Sequence, residues 1–186
     1  MLSDVGIKES IIKGLLKIEP FEKEMLKPAC VNLRLGNTIC EQLPSGVVDP
    51  FDSSSMKCYD QKQINEKETY VLKPNSFILA QTFEKIGISK SLGVLLDGTS
   101  TLARLGISVT QTGMIVDTGH GWPEPRSITL EIKNGGVNPI LLRYKMKVAR
   151  MAVFKLDQEA SMSYDQVGKY IDQNSVIPKP IRQPRG

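Results

Sequence analysis

The sequence predicts an all-β sandwich or barrel. Two observations carry that prediction. Short segments of apolar–polar alternation follow one another at close intervals from residue 31 to residue 156, with Gly, Pro or Asn in most of the gaps. No long helical pattern lies between them, which disfavours a doubly wound α/β fold.

The elements follow in order. Residues 3–17, SDVGIKESIIKGLLK, open with Ser3 and Asp4 as cap candidates and repeat Ile7, Ile11, Ile12 and Leu15 at helical spacing. They predict a short amphipathic helix. After Pro20 the texture changes, and VNLRLGN (31–37) alternates as a half-buried strand does. Residues 43–66 are polar, with Pro44, Gly46, Pro50 and a serine run, and predict a long loop. Residues 68–88 predict two strands joined at Lys73-Pro74-Asn75-Ser76, a turn composition. Further strands are predicted at 92–98, 108–117, 127–134, 138–144 and 147–156. STLARLG (100–106) interrupts them and predicts a helical turn or two. From Tyr164 onward the chain is polar and ends in prolines, so it predicts a tail that a ligand or a neighbouring subunit would order.

Composition narrows the function classes. A chain of 186 residues with 40% hydrophobic and 24% charged content suits one domain with a single core. Its net charge of +4 comes without a concentrated basic block, which argues against nucleic acid as a partner but is compatible with a local polyanion pocket. The opening residues make neither a signal peptide nor a membrane span, so a cytoplasmic protein is expected. Cys30, Cys40 and Cys58 form no CxxC and stand beside the single histidine, His120. They read as reduced thiols, a supply too thin for zinc.

The segment GTSTLARLGISVTQTGMIVDTGHG (98–121) sets Ser100, Arg104 and Asp117 among five glycines. Ser100 and Arg104 share one face of a helical turn. From spacing alone they read as a helix cap and a surface arginine, and Asp117 as a turn aspartate. In SITLEIKN, Thr129, Glu131 and Lys133 share one strand face and Ile128, Leu130 and Ile132 the other. From the residues alone Glu131 reads as an exposed strand glutamate.

Taken together, GTSTLARLG, TQTGMIVDTG, SITLEIKN and the tail pattern Tyr164…Gly168-Lys169-Tyr170…Gln173 resemble the dCTP deaminase branch of the trimeric dUTPase-like proteins. PACVNLRLGN, LKPNSFILAQTFEKI and the opening LSDVGIKESI resemble that family's earlier strands and helix. The similarity runs from about Leu2 to Gln173 and is poorest in the 43–66 loop. It implies a mainly β subunit, a distorted β-barrel or jelly-roll with a short N-terminal helix (1–163), assembled as a homotrimer. Active sites would lie between subunits, under a closing tail (164–186).

The resemblance also assigns roles. Glu131 becomes the catalytic acid–base that shuttles protons between water, the pyrimidine ring and the leaving amine. Ser100 would hold the attacking water, and Arg104 would orient it or bind phosphate through its planar donor fork. Asp117 would bind the deoxyribose 3′-hydroxyl. Nucleotide contacts fall on Thr99, Thr101, Leu102 and Ala103, on Gln111, Thr112 and Gly113, on Thr129 and Leu130, and on the tail residues Tyr164, Lys169 and Gln173. Glycine at Gly113 lets a base approach the main chain. Magnesium would arrive with the triphosphate rather than on protein side chains. Zinc deaminases need an H-x-E and a P-C-x-x-C, and neither occurs here.

The chain departs from the family pattern at several places. Thr99 stands for a basic residue, Thr110 for a histidine, Ile115 for an arginine, Thr118 for a proline or small residue, and Asn32 for an aspartate. The segment HGWPEPRS is longer than the resemblance implies, and Arg126 within it reads as a surface arginine. Three functions stay open at this level. The first is deamination of dCTP to dUTP and ammonia. The second is dUTP hydrolysis, or both steps in sequence. The third is a non-catalytic nucleotide-binding trimer, which could also take dTTP.

Overall fold

The computed structural model describes residues 1–56, 59–171 and 176–181. Ser3 caps helix α1 (Asp4–Ile12) by accepting from Gly6 N–H at 3.4 Å. The helix is shorter than expected. Gly14 takes a positive φ of 68° and ends it, and Leu16–Glu19 instead forms β1, paired with the far end of β6. Ile7 alone of the predicted apolar face is fully buried, and Ile12 is exposed.

A 3₁₀ turn at Lys23–Met25 leads into β2 (Leu26–Lys27) and then β3 (Cys30–Gln42). The predicted 43–66 loop conceals a strand, β4 (Tyr59–Gln63), which pairs with the second half of β3. Next come β5 (Tyr70–Leu72), β6 (Phe77–Ile88) and β7 (Leu92–Gly98). Helix α2 (Ser100–Arg104) follows, capped by Thr99, which accepts from Leu102 N–H at 3.5 Å.

The expected strand at 108–117 is two short pieces, β8 (Ile107–Ser108) and β9 (Ile115–Val116). Gln111 lies between them in the left-handed region at φ 44°, which breaks the strand. The chain continues with β10 (Arg126–Asn134), β11 (Ile140–Leu142), β12 (Lys147–Lys155) and a four-residue helix α3 (Tyr164–Val167).

The main sheet runs β8-β10-β6-β3-β12-β7-β9 and curls into a half-barrel; β5 and β11 form a separate ribbon. The fold is mainly β, as predicted. One apolar cluster fills the curl, with Leu33, Leu35, Ile78, Leu96, Leu130 and Met151 among its buried members. At its edge Glu84 is fully buried and paired. It accepts from Arg34 N–H at 2.7 Å and from Arg34 Nε at 2.6 Å, while the same guanidinium holds Glu22.

Two irregularities position the site. The β10–β6 register shifts between Ser127 and Thr129, where Ile128 N–H donates to the Thr82 hydroxyl at 2.9 Å. The shift sets Glu131 opposite Leu79. It also keeps Ile128, Leu130 and Ile132 in the core while Thr129, Glu131 and Lys133 face outward, the alternation read from the sequence.

Candidate functional site

Glu131 sits in the middle of β10, where alternation turns it away from the core. The stretch after β8 lies along the same strand. Thr110 bridges Glu131 in parallel, and Glu131 N–H donates to Val109 carbonyl at 2.9 Å. A turn closed by Gly113 N–H on Thr110 carbonyl, at 2.7 Å, then brings Gly113 against the carboxylate. A β-carbon at Gly113 would lie 3.4 Å from both carboxylate oxygens. The carboxyl group therefore faces bare main chain.

Glu131, Gly113, Thr129, Asp117 and Tyr164 line one cleft of about 220 Å³. Glu131 is half-buried, and burial pushes its pKa above the ordinary glutamate range. Asp117 stays exposed on the rim. The tail reaches the same cleft: Tyr164, Tyr170, Val176 and Pro178 line it. Tyr164 N–H donates to Thr118 carbonyl at 2.8 Å, and the Tyr164 hydroxyl accepts from Tyr170 N–H at 3.3 Å. Burial raises the Tyr164 pKa.

Ser100 and Arg104 are not in this cleft. Helix α2 lies at a separate, wider hollow of about 940 Å³, lined by Ser100, Ala103, Gly98, Asp97 and Arg150. The two hollows share no lining residue. Thr101 and Arg104 are exposed nearby. Leu102 and Leu130 are buried in the core. Gln111 and Thr112 are exposed beside Gly113, with Gln111 Oε1 accepting from the Ser108 hydroxyl at 2.8 Å. Lys169 holds its ammonium 5.6 Å from the Tyr170 ring centroid and does not line the cleft. Gln173 lies outside the described residues.

Residues 1–156 match the family model described as dCTP deaminase-like. The chain belongs to the dCTP deaminase-like family. A dCTP deaminase, dUMP-forming, of Methanoculleus marisnigri is 31% identical over 175 residues, 93% of this chain and 90% of its own length. The enzyme of the same name from Aquifex aeolicus is 33% identical over 181 residues, 97% of this chain and 94% of its own. Among solved structures, the 2′-deoxycytidine 5′-triphosphate deaminase of Agrobacterium tumefaciens superposes with a TM-score of 0.58 at 17% identity. It matches 82% of this chain, which spans 47% of that one.

For a dCTP deaminase-like chain, three residues here were not legible as site residues. His120 lines the Glu131 cleft and is buried. Arg126 is not a plain surface arginine: it forms an ion pair with Asp165 and so ties β10 to α3. Arg150, at an outward position of β12, lines the Ser100 hollow. The signal for Arg126 and His120 lay in the long HGWPEPRS segment, whose Arg126–Asp165 and His120–Tyr164 contacts are distant in sequence. Among the described residues no group of three or more His, Cys, Asp or Glu could hold a metal ion, and no helix is long and apolar enough to cross a membrane.

Gly119 fixes how the tail meets the cleft. Its φ is 84°, and a β-carbon there would fall 2.5 Å from Ser163 Cβ and 2.9 Å from Tyr164 N. Gly119→Ala is expected to combine left-handed strain of about 1–2 kcal/mol with expulsion of residues 163–164. The expected result is faster proteolytic clipping of the tail and a lower melting temperature than for the parent chain, read by limited proteolysis and a thermal melt. An unchanged clipping rate would show that the tail does not depend on this contact.

Proposed function

We propose that this chain deaminates dCTP at Glu131 and carries the product on to dUMP, in a homotrimer whose active sites lie between subunits. One observation carries the reading: a half-buried carboxylate faces bare glycine main chain in a cleft that also holds Asp117 and the tail's Tyr164. A pyrimidine can lie flat against Gly113 with its ring edge at the carboxylate. Asp117 then stands at the sugar end, and the tail 164–186 closes over the nucleotide.

Glu131 takes a proton from water as the water's oxygen bonds to C4, and delivers it to N3. Glu131 then moves the proton of the new C4 hydroxyl to the exocyclic nitrogen, the C4–N4 bond breaks as the C4 carbonyl forms, and ammonia leaves. Burial supports this role, because a carboxylate with a raised pKa accepts and returns protons closer to neutrality. Ser100 positions the water, and Arg104 addresses water or phosphate. In the second step water attacks the α-phosphorus and pyrophosphate leaves, so dCTP and two waters give dUMP, ammonia and pyrophosphate. Magnesium enters as part of the triphosphate substrate, and Lys169 adds charge to the same group. The names of the Methanoculleus and Aquifex relatives support dUMP over dUTP as the end product.

The trimer rests on size and on partition. A cleft of about 220 Å³ is smaller than the ~300–1,000 Å³ of ordinary ligand pockets, so one chain supplies part of a site. The hollow bearing Ser100 has an apolar rim, with Leu95, Leu105, Met114 and Ile115 exposed on and around it. The cytoplasm, where free thiols such as Cys30 and Cys40 persist, is the compartment this reading implies.

The test incubates the chain with dCTP and magnesium and separates dCMP, dUMP and dUTP while measuring ammonia. Ammonia with dUMP and pyrophosphate is the expected result. Ammonia with dUTP would confine the enzyme to the first step. Binding of dCTP and dUTP with no turnover of either would overturn the catalytic reading in favour of a nucleotide-binding trimer, for which Thr99, Thr110 and Ile115 are the sequence features.

A further inference from the structure

The hollow beside α2 holds one charge that the proposed chemistry leaves unassigned. Arg150 lines it together with Ser100, Gly98 and Asp97. Among the described residues, neither this hollow nor the Glu131 cleft has another Lys or Arg on its wall. Arg104 and Lys169 lie outside both linings. Strand register explains where Arg150 stands. β12 pairs antiparallel with β7, which sets Arg150 opposite Asp97 and Ala149 opposite Gly98. Thr99 N–H continues the pairing by donating to Val148 carbonyl at 3.3 Å. The start of α2 is therefore laid along the strand that carries Arg150. Ala149 and Met151 are buried in the core, so alternation turns Arg150 to the outer face, where it is exposed.

The Arg150 guanidinium has no partner in the chain. Arg34 is held by Glu84 and Glu22, and Arg126 by Asp165. No ion pair, hydrogen bond or ring contact joins Arg150 to a described residue. Asp97, its cross-strand neighbour, is turned elsewhere: Oδ1 of Asp97 accepts from Gly98 N–H at 2.7 Å. Thr99, which stands for a basic residue in the family pattern, carries no charge and uses its side chain to cap α2. The start of α2 thus lacks a cation of its own, and the adjoining strand presents one.

We infer that Arg150 binds the triphosphate of the nucleotide, supplying from β12 the positive charge that Thr99 lacks. This step rests on the nucleotide reading above. A triphosphate seated beside Ser100 is a polyanion, and taking it out of water without a fixed cation costs free energy. A guanidinium offers two parallel N–H donors to phosphate oxygens, and an arginine free of carboxylate partners gives up no ion pair to make them. Base and sugar stay at Glu131 and Asp117 in the other cleft, so Arg150 acts on the phosphate end alone.

The experiment uses the full chain in the Glu131→Gln background, so that nucleotide binds without turnover. The magnesium complex of dCTP is titrated calorimetrically, and deoxycytidine, which has no phosphate, by ligand-observed NMR. The titrations compare this parent with the same chain carrying Arg150→Gln, Arg150→Lys, or Arg150→Gln together with Thr99→Arg. Arg150→Gln is expected to weaken dCTP at least about tenfold, the loss of a charged hydrogen-bonding group, and to leave deoxycytidine within about twofold. Lysine keeps the charge without the fork, so Arg150→Lys should fall between the parent and Arg150→Gln. Adding Thr99→Arg to Arg150→Gln should recover at least about threefold in dCTP affinity. Equal losses for dCTP and deoxycytidine, with a lower melting temperature, would make Arg150 a subunit contact and overturn the inference. An unchanged dCTP affinity in Arg150→Gln, or no recovery from Thr99→Arg, overturns it as well. Failure of the parent to bind either ligand overturns the nucleotide reading, and the inference with it.

Discussion

Glu131→Gln removes deamination and leaves nucleotide affinity almost unchanged. The expected loss in kcat is about 10²–10⁴-fold, the range for a positioned general acid–base. Glutamine keeps the size of the side chain and its place opposite Leu79 on β10, so the cleft keeps its shape. It cannot take a proton from water at C4 or return one to the leaving nitrogen. The same burial that makes the carboxylate useful has a second consequence. Its pKa is raised on folding, so the stability linked to this group is complete below the ordinary glutamate value and is lost as pH rises through the raised folded value. The Gln variant, which carries no charge to bury, should therefore melt above wild type at neutral pH. The gap should close as pH falls towards about 4. Activity of the wild type should rise with pH along an acid limb set above the ordinary glutamate range, because the carboxylate is the form that accepts the proton. Near-normal turnover by the Gln variant, measured as ammonia release from dCTP, would remove Glu131 from the mechanism.

Much of this arrangement was legible from alternation. SITLEIKN and LGVLLDG are strands because their apolar residues repeat at period two, and the face carrying Glu131 follows from the same count. Tyr59–Gln63 was not legible. Its sequence, YDQKQ, is polar and largely exposed, and what makes it a strand is the offered edge of β3 rather than any propensity of its own. The helix was drawn too long because Leu15 and Leu16 continue an apolar pattern, whereas the positive φ at Gly14 turns the chain into β1. The expected strand at 108–117 breaks for a reason tied to function. The left-handed Gln111 and the turn after it carry Gly113 across to Glu131. Arg126 reads as a surface arginine, and His120 as no more than a member of a long segment, because their partners, Asp165 and Tyr164, lie some forty residues on. Local pattern shows which side chains share a face. It does not show which distant segment closes over them.

Mixing two inactive variants should restore activity. Ser100→Ala and Glu131→Gln are each expected to lose at least about a hundredfold on their own, the first through loss of the water's anchor and the second through loss of the shuttle. In one chain these side chains belong to hollows that share no lining residue. If each active site joins the Glu131 cleft of one subunit to the α2 helix of the next, a mixed trimer contains junctions where both contributing chains are intact. Random assembly from equal amounts makes about a quarter of all junctions of that kind, so co-expressed or co-refolded variants should recover about a quarter of the wild-type rate. Both mutations placed in one chain and mixed one-to-one with wild type provide the control. That mixture also leaves about a quarter of its junctions intact and should reach the same rate, although it contains half wild-type chains. The geometry thus makes the partition of the two lesions between chains irrelevant, which no site built within a single chain can do. For such a site the control would give about half the wild-type rate and the complementing mixture close to none. That result would return Ser100 and Glu131 to one subunit and would require α2 to move onto the cleft, past the exposed Leu105, when nucleotide binds.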